Sequence, residues 1–499
     1  MAANSIQEAL ASGRFSYVVE LVASAKTPEA KIFQTGADLA RIPGVIGAGI
    51  TSYAGGHSGH DPVRIGTGVG SRGLTPNVHI TCVNKDRIDL LQQLQTCHSL
   101  GIENIFAITG DYPLGADPNT APPLFATDSV QLVEMIGELR EAGMNFHVSV
   151  AVSPFKYTEP DCAYQYLKLE KKFAAGADWA ITQLGYDSKK LRELKRYLDE
   201  RGIRKPVFGN VYVLPPKAAE KFAKGEPPGC WVSPELLERV QEEAKAEDKG
   251  MAARLERAAR MVAVLRGLGF AGAYIGGTDH AERIQWIIRR SEEVAGQWEE
   301  FAEEISYGKK GGFYFFEAPP HPPKPQSGLP KLLDTAAAMF PVKHEHNALR
   351  GMLTGVMKWV DARPAMAHTL EKIELSIKKP MFGCKACGNC VLGEMEYVCP
   401  MTCPKNMRNG PCGGTHFGMC EVLPDKPCIW VKVYENAQAA GRVDDLKVFI
   451  PPRNRALQGS SSFINLFLER DARPGHDTNV PATSLIQIEP PVAEKASGD

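Results

Sequence analysis

Glu20 stands inside an apolar run, Val18-Val19-Glu20-Leu21-Val22. A carboxylate in such a strand is costly to bury unless it is paired or protonated. Burial raises its pKa and fits it for general acid work; the competing use is a buried salt bridge. Thr109-Gly110-Asp111 follows a second apolar run, Phe106-Ala107-Ile108. Glycine there lets the backbone approach a ligand closely, and Asp111 can make a polar contact; an ordinary turn would look the same. His79, in Asn77-Val78-His79-Ile80-Thr81-Cys82, reads more readily as a satisfied core histidine than as a site residue. Gln183 closes Ala180-Ile181-Thr182 as a turn cap or a ligand donor. Gly276-Gly277 suits a phosphate-accepting turn, a weak signal alone.

The densest chemistry lies at the other end. Of 12 cysteines, eight fall between Cys384 and Cys428. Cys384, Cys387 and Cys390 form C-x2-C-x2-C, and Cys399 and Cys403 form C-x3-C-P. Cys412, Cys420 and Cys428 follow at wider spacing. Such spacing resembles iron–sulfur ligation, and eight thiolates suffice for two centres of four. Structural zinc is the alternative, since it also takes four thiolates.

These residues need elements to hold them. Eight short apolar runs read as strands: Tyr17–Ala23, Gly44–Ile50, Asn77–Val83, Asn104–Ile108, Phe146–Val152, Trp179–Gln183, Pro206–Val211 and Ala271–Ile275. They are rich in Val and Ile, as strands of a parallel sheet buried on both faces must be. Helical patterns lie between them, among them Lys85–Leu100, Ser129–Ala142, Cys162–Ala175 and Leu255–Leu268. The alternation predicts an α/β fold, a (β/α)8 barrel over residues 1–305, with chemistry at the strand C-termini; a doubly wound open sheet is the alternative. Lys217–Gly250 reads as an inserted loop and helix. A Pro-rich linker spans 306–330 and is clearest at Glu317–Pro330. Residues 331–450 form a helical and cysteine-rich α+β metal-binding domain. A Pro-rich, partly disordered tail follows over 451–499.

The 499 residues carry a formal net charge of −1. That offers no bulk attraction for nucleic acid or an anionic membrane. No stretch reaches the ~20 apolar residues of a membrane helix. The N-terminus lacks a secretory pattern, so a cytoplasmic location is expected.

Taken in order, VVELVAS, Thr51 in GITSYAGG, NVHITC, AITGDYP, FATDSVQL, SVAVSP, KKFAAGADWAITQ and AGAYIGG resemble the methylenetetrahydrofolate reductase family over about residues 15–300. The resemblance implies a flavin-dependent barrel that reduces 5,10-methylenetetrahydrofolate to 5-methyltetrahydrofolate. The flavin is usually FAD, with FMN the alternative. Glu20 would be the general acid at folate N10. Asp111 would lie near the flavin and the pterin, and Gln183 would hydrogen-bond the pterin. Thr51, His79, Thr109, Gly110, Ala126, Asp128, Ala151 and Lys172 would line the flavin site. Some positions depart from the family. Its common Arg before Gly-Asp is Thr109. A Tyr-x4-His pattern becomes Ser153 and Tyr157, and an Asp and Asn become Gln165 and Lys168. These are positions along the ribityl, phosphate and adenosine. The aromatic that packs on the nicotinamide in NADH-using members aligns near Pro216.

CKACGNC, CPMTCPKNMRNGPCGG and CIWVKVYE resemble the C-terminal or partner-subunit domain of certain bacterial members. That resemblance implies 4Fe–4S clusters or zinc on Cys384, Cys387, Cys390, Cys399, Cys403, Cys412, Cys420 and Cys428. The electron donor is then NAD(P)H or a ferredoxin-type protein. Lys385, Lys405, Arg408, Lys426 and Lys432 would form a patch for an acidic ferredoxin or a merely solvated surface. A homo-oligomer is compatible with the sequence. Two readings compete: a flavin-free pterin methyltransferase barrel, and a zinc-stabilised, non-catalytic assembly protein.

Overall fold

The computed structural model describes residues 4–52, 59–113, 122–317, 328–339 and 348–471. Eight strands form a closed, all-parallel barrel in sequence order. They are β1 Ser16–Leu21, β2 Val45–Ile50, β3 Pro76–Thr81, β4 Asn104–Ile108, β5 His147–Val152, β6 Trp179–Thr182, β7 Val207–Tyr212 and β8 Gly272–Gly276. Closure is made by β1 against β8, with Ser16 opposite Gly272. Each strand is buried along nearly its whole length. Its outward face meets the helices and its inward face the barrel interior, so continuous apolar runs are required. The (β/α)8 expectation is met and the open sheet is excluded.

The interior is packed rather than hollow. Val18, Ile46, Phe106, Trp179, Ile181, Phe208 and Tyr274 form one buried cluster. Ile6, from the helix Ser5–Ala11, joins it and is fully buried. That helix seals the N-terminal end of the barrel, leaving the C-terminal end for chemistry. The inserted stretch beyond β7 forms two helices, Pro216–Ala223 and Pro234–Glu243, where the sequence suggested one.

Ser306–Glu317, assigned to the linker from the sequence, packs on the barrel. The Tyr314 hydroxyl donates to Asp187 at 2.8 Å, and Phe313 and Phe315 pack against the main core. Residues 318–327 lie outside the described set. The first part of the expected tail is likewise packed: Ser461 donates to Glu374 at 2.8 Å. Residues 472–499, where disorder was expected, lie outside the described set.

The cysteine-rich region sits on one barrel helix, Glu159–Ala174. Ala163, Tyr164 and Leu167 join a core with Val391, Met395, Met407, Trp430, Val433, Leu446 and Ile450. Tyr164 meets Trp430 edge-on, with centroids 5.3 Å apart. The helix is thereby covered on two sides, by its own barrel and by the C-terminal domain.

Candidate active site and cysteine centres

The C-terminal ends of the strands open into a cavity of about 380 Å³, within the usual range for small-molecule sites. Every strand contributes. Glu20 comes from β1, His79 from β3, Ala151 from β5, Asn210 and Tyr212 from β7 and Tyr274 from β8. Thr51, Thr109-Gly110-Asp111 and Gln183 come from the turns after β2, β4 and β6. Lys172 reaches the cavity from the helix Glu159–Ala174 and donates to the Ala151 carbonyl at 2.5 Å.

Local geometry explains several of these placements. Glu20 has room because Gly276 lies opposite; a Cβ there would stand 2.8 Å from its Oε2. Gly110 has φ +89°, a conformation that side chains disfavour. The Thr51 hydroxyl accepts from the Ala23 amide at 3.1 Å, and Thr109 accepts from the Ser129 amide at 3.3 Å. Gln183 accepts from the Leu184 amide through Oε1 at 2.8 Å.

Burial sets the charge states. Removal from water pushes the Glu20 carboxyl up to about 7. Burial also pushes Asp111 up to about 6, with Lys405 opposing that shift and Glu421 adding to it. His79 is driven down to about 3 by burial and is neutral at physiological pH. Its Nε2 lies 3.4 Å from the Tyr274 hydroxyl. Burial, with Lys168 nearby, lowers Lys172 to about 7.

Two expected flavin residues stand elsewhere. Ala126 is absent from the cavity lining, and so is Asp128. The Asp128 carboxylate caps the helix Ser129–Glu141, accepting from the Val130 amide at 3.0 Å and the Gln131 amide at 3.2 Å. It also accepts from the Arg408 and Asn409 amides at 3.2 and 2.9 Å. Lys168 donates to the Pro411 carbonyl at 2.9 Å and the Gly410 carbonyl at 3.3 Å. The cavity side of this region keeps unused polar atoms. Ser153 Oγ, Gln165 Nε2 and Asn210 Oδ1 are buried without hydrogen-bond partners, and their residues line the cavity. Such atoms fit a polar ligand that supplies the missing bonds. Pro216 opens its helix, and Phe222 further along the same helix lines the cavity.

Part of the wall comes from the C-terminal domain, which the sequence did not predict. Pro411, Cys412, Gly413, Gly414 and Glu421 line the cavity. Lys405 forms a buried ion pair with Glu421 and donates to the Gly110 carbonyl at 2.9 Å. Lys405 and Arg408 are 2 and 3% exposed, so neither belongs to a surface patch. Lys385, Lys426 and Lys432 are exposed. A Cβ on Gly414 would collide with the Glu421 carboxylate.

The eight clustered cysteines divide into two sets. Cys384, Cys387, Cys390 and Cys399 line a second, smaller cavity together with Lys378. Cys403, Cys412, Cys420 and Cys428 are absent from that lining; Cys403 and Cys428 lie in the core shared with the barrel helix, with Cys412 packed against it. Among the described residues, no three His, Cys, Asp or Glu side chains converge as ligands of one metal ion.

Comparison with known proteins adds the decisive observation. A family profile described as methylenetetrahydrofolate reductase matches residues 5–274. The chain belongs to the methylenetetrahydrofolate reductase family. A second profile, methylene-tetrahydrofolate reductase C terminal, matches residues 363–456. The 5,10-methylenetetrahydrofolate reductase of Salmonella typhimurium is 31% identical over 30% of this chain and 48% of its own length. That of Pectobacterium carotovorum is 33% identical over 30% of this chain and 48% of its own. Methylenetetrahydrofolate reductase (NADH) 1 of Arabidopsis thaliana is 29% identical over 27% of this chain and 24% of its own. The chain thus spans between a quarter and a half of the length of these relatives. Among the described residues, no helix is long and apolar enough to cross a membrane.

Proposed function

We propose that the chain reduces 5,10-methylenetetrahydrofolate to 5-methyltetrahydrofolate. The observation that carries this reading is the meeting of Glu20, Asp111 and Gln183, from three separate strand ends, around one cavity. The reaction adds a hydride to the methylene carbon and a proton to N10, and breaks the bond between them. Glu20 is the proton source: its carboxyl stays protonated up to about pH 7, matched to an acid working near neutrality. Asp111 stabilises the cationic iminium that ring opening produces. Gln183 uses its free amide nitrogen on the pterin.

A bound flavin would supply the hydride in this reading. Thr51, His79, Thr109, Gly110, Ala151 and Lys172 would hold it, and the unpartnered atoms of Ser153 and Gln165 could bond its polar groups. The engagement of Asp128 and Lys168 by residues 408–411 favours FMN over FAD, because neither group is left free to hold an adenosine end.

The C-terminal cysteines are read as ligands of two iron–sulfur clusters, with zinc as the competing ion. Clusters would supply one-electron transfer from a ferredoxin-type donor. Cys412 stands in the cavity wall, so the second set borders the site where a flavin would gather two electrons. NAD(P)H is the alternative donor, given the name of the plant relative.

The test is turnover of methylenetetrahydrofolate by anaerobically purified protein with reduced ferredoxin or NAD(P)H, with flavin, iron and zinc measured. Absence of flavin together with no turnover from any donor would sink the reading.

A further inference from the structure

We propose that Lys405 and Glu421, both brought by the C-terminal domain, are positioning residues of the barrel's reaction: their buried ion pair holds the Gly110-Asp111 turn, and with it Asp111, at the folate pocket. This rests on the proposed reduction and on Asp111 acting there.

Lys405 itself is absent from the cavity lining, whereas its partners Gly110 and Glu421 line it, as does Asp111. Its Nζ donates to the Gly110 carbonyl at 2.9 Å. It pairs with the Glu421 carboxylate, each side chain being 3% exposed, and stands 5.5 Å from the centroid of the Phe125 ring. The ammonium is thus held by a carbonyl, a carboxylate and an aromatic ring.

The turn needs such a hold. Gly110 has φ +89°, and glycine restrains its backbone less than any other residue. Thr109 is tied to the barrel: its carbonyl accepts from the Cys82 amide at 3.2 Å and its hydroxyl from the Ser129 amide at 3.3 Å. One residue on, the Gly110 carbonyl takes its hydrogen bond from the other domain, 295 residues away. That carbonyl belongs to the planar peptide unit that leads into Asp111, so the bond fixes the plane from which the Asp111 side chain departs.

Glu421 is fixed in turn. A Cβ on Gly414 would collide with its carboxylate and lie 3.1 Å from Pro228 Cβ. The Gly413 carbonyl faces Gly229, where a Cβ would stand 2.8 Å from it. Lys156 donates to the Thr415 carbonyl at 2.6 Å. Residues 413–415 are thereby wedged between the barrel segments that follow β5 and β7. A buried ion pair adds little net stability once both charges have left water; orientation is what this one supplies.

The experiment follows the oxidative half-reaction of the full chain. Flavin is reduced with dithionite, so the step does not depend on the electron donor, and its reoxidation by methylenetetrahydrofolate is read by stopped-flow absorbance. The data give a folate dissociation constant and a limiting rate. Lys405→Met/Glu421→Gln removes the donor on Gly110 without stranding a buried charge. It is expected to keep flavin and to raise the folate dissociation constant about tenfold, roughly the loss of one polar contact. In an Asp111→Asn background the same two changes should have no further effect, because they act through Asp111. An unchanged half-reaction overturns the inference. So does an equal loss with and without Asp111, which would mark a merely structural role. If Lys405→Met/Glu421→Gln does not fold or loses flavin, Glu421→Gln decides, since it leaves Lys405 in place without its counter-charge. Folate held about threefold more weakly supports the inference, and an unchanged constant overturns it. An unaltered chain without flavin, or whose reduced flavin is not reoxidised by methylenetetrahydrofolate, sinks the proposed function and the inference with it.

Discussion

Glu20 shows how one residue's surroundings set its chemistry. Its carboxyl is pushed up to about 7 by burial alone, so it holds a proton where an exposed glutamate does not. The rate is expected to fall as pH rises through about 7, and Glu20→Gln to remove that limb while lowering turnover by about 10²- to 10⁴-fold. Steady-state rates across pH, with flavin content as a control, check this; an unchanged rate in Glu20→Gln refutes the general acid. Stability should move the other way. A carboxyl whose folded pKa lies above its unfolded value is penalised increasingly as pH rises between the two. Glu20→Gln should therefore be more stable than the parent at pH 8, by at most about 3 kcal/mol. The advantage should shrink towards pH 5, as denaturant titrations at the two pH values would show.

At the scale of elements, the decisive unit is the junction between the helix Ser129–Glu141 and residues 405–421. Asp128 serves that helix as its N-cap and the C-terminal domain as an anchor, accepting from the Val130, Gln131, Arg408 and Asn409 amides. Asp128→Ala strands these buried donors and is expected to cost about 2–5 kcal/mol, read by chemical denaturation. Lys405 brings a cation to the Gly110 carbonyl beside Asp111. Gly414→Ala would push a methyl group into the Glu421 carboxylate and disturb the Lys405–Glu421 pair. The expected result is about a tenfold rise in folate KM with little loss of flavin, roughly the effect of one disturbed polar contact. Unchanged kinetics would mean that the pair does not bear on the pocket.

Across the whole molecule, barrel and cysteine region share the core around Tyr164 and Trp430 and the wall of one cavity. On the proposed reading of the cysteines as metal ligands, stripping that metal should therefore weaken both. Chelation is expected to lower the barrel's melting temperature and to release flavin together with metal, because metal affinity is folding free energy for a small cysteine-rich domain. Calorimetry and flavin absorbance follow this; a barrel transition that ignores chelator would show the two units to be energetically separate.

The sequence by itself determined the barrel. Strand β4 coincides with its predicted run at Asn104–Ile108, and the others differ only at their ends, because parallel strands buried on both faces must be continuously apolar. It also put Glu20, Asp111 and Gln183 at strand ends, where a barrel gathers its chemistry. Only the tertiary structure decided what the C-terminal domain contributes. Lys168, Lys405 and Arg408 look like surface charges in a sequence, since such residues are seldom buried. Here each is buried, and for the two lysines a partner distant in the chain helps make burial tolerable: Lys168 bonds Pro411, and Lys405 bonds Gly110. Periodicity records which face of a helix is apolar. It carries no information about a carbonyl more than two hundred residues away that arrives only when the chain folds.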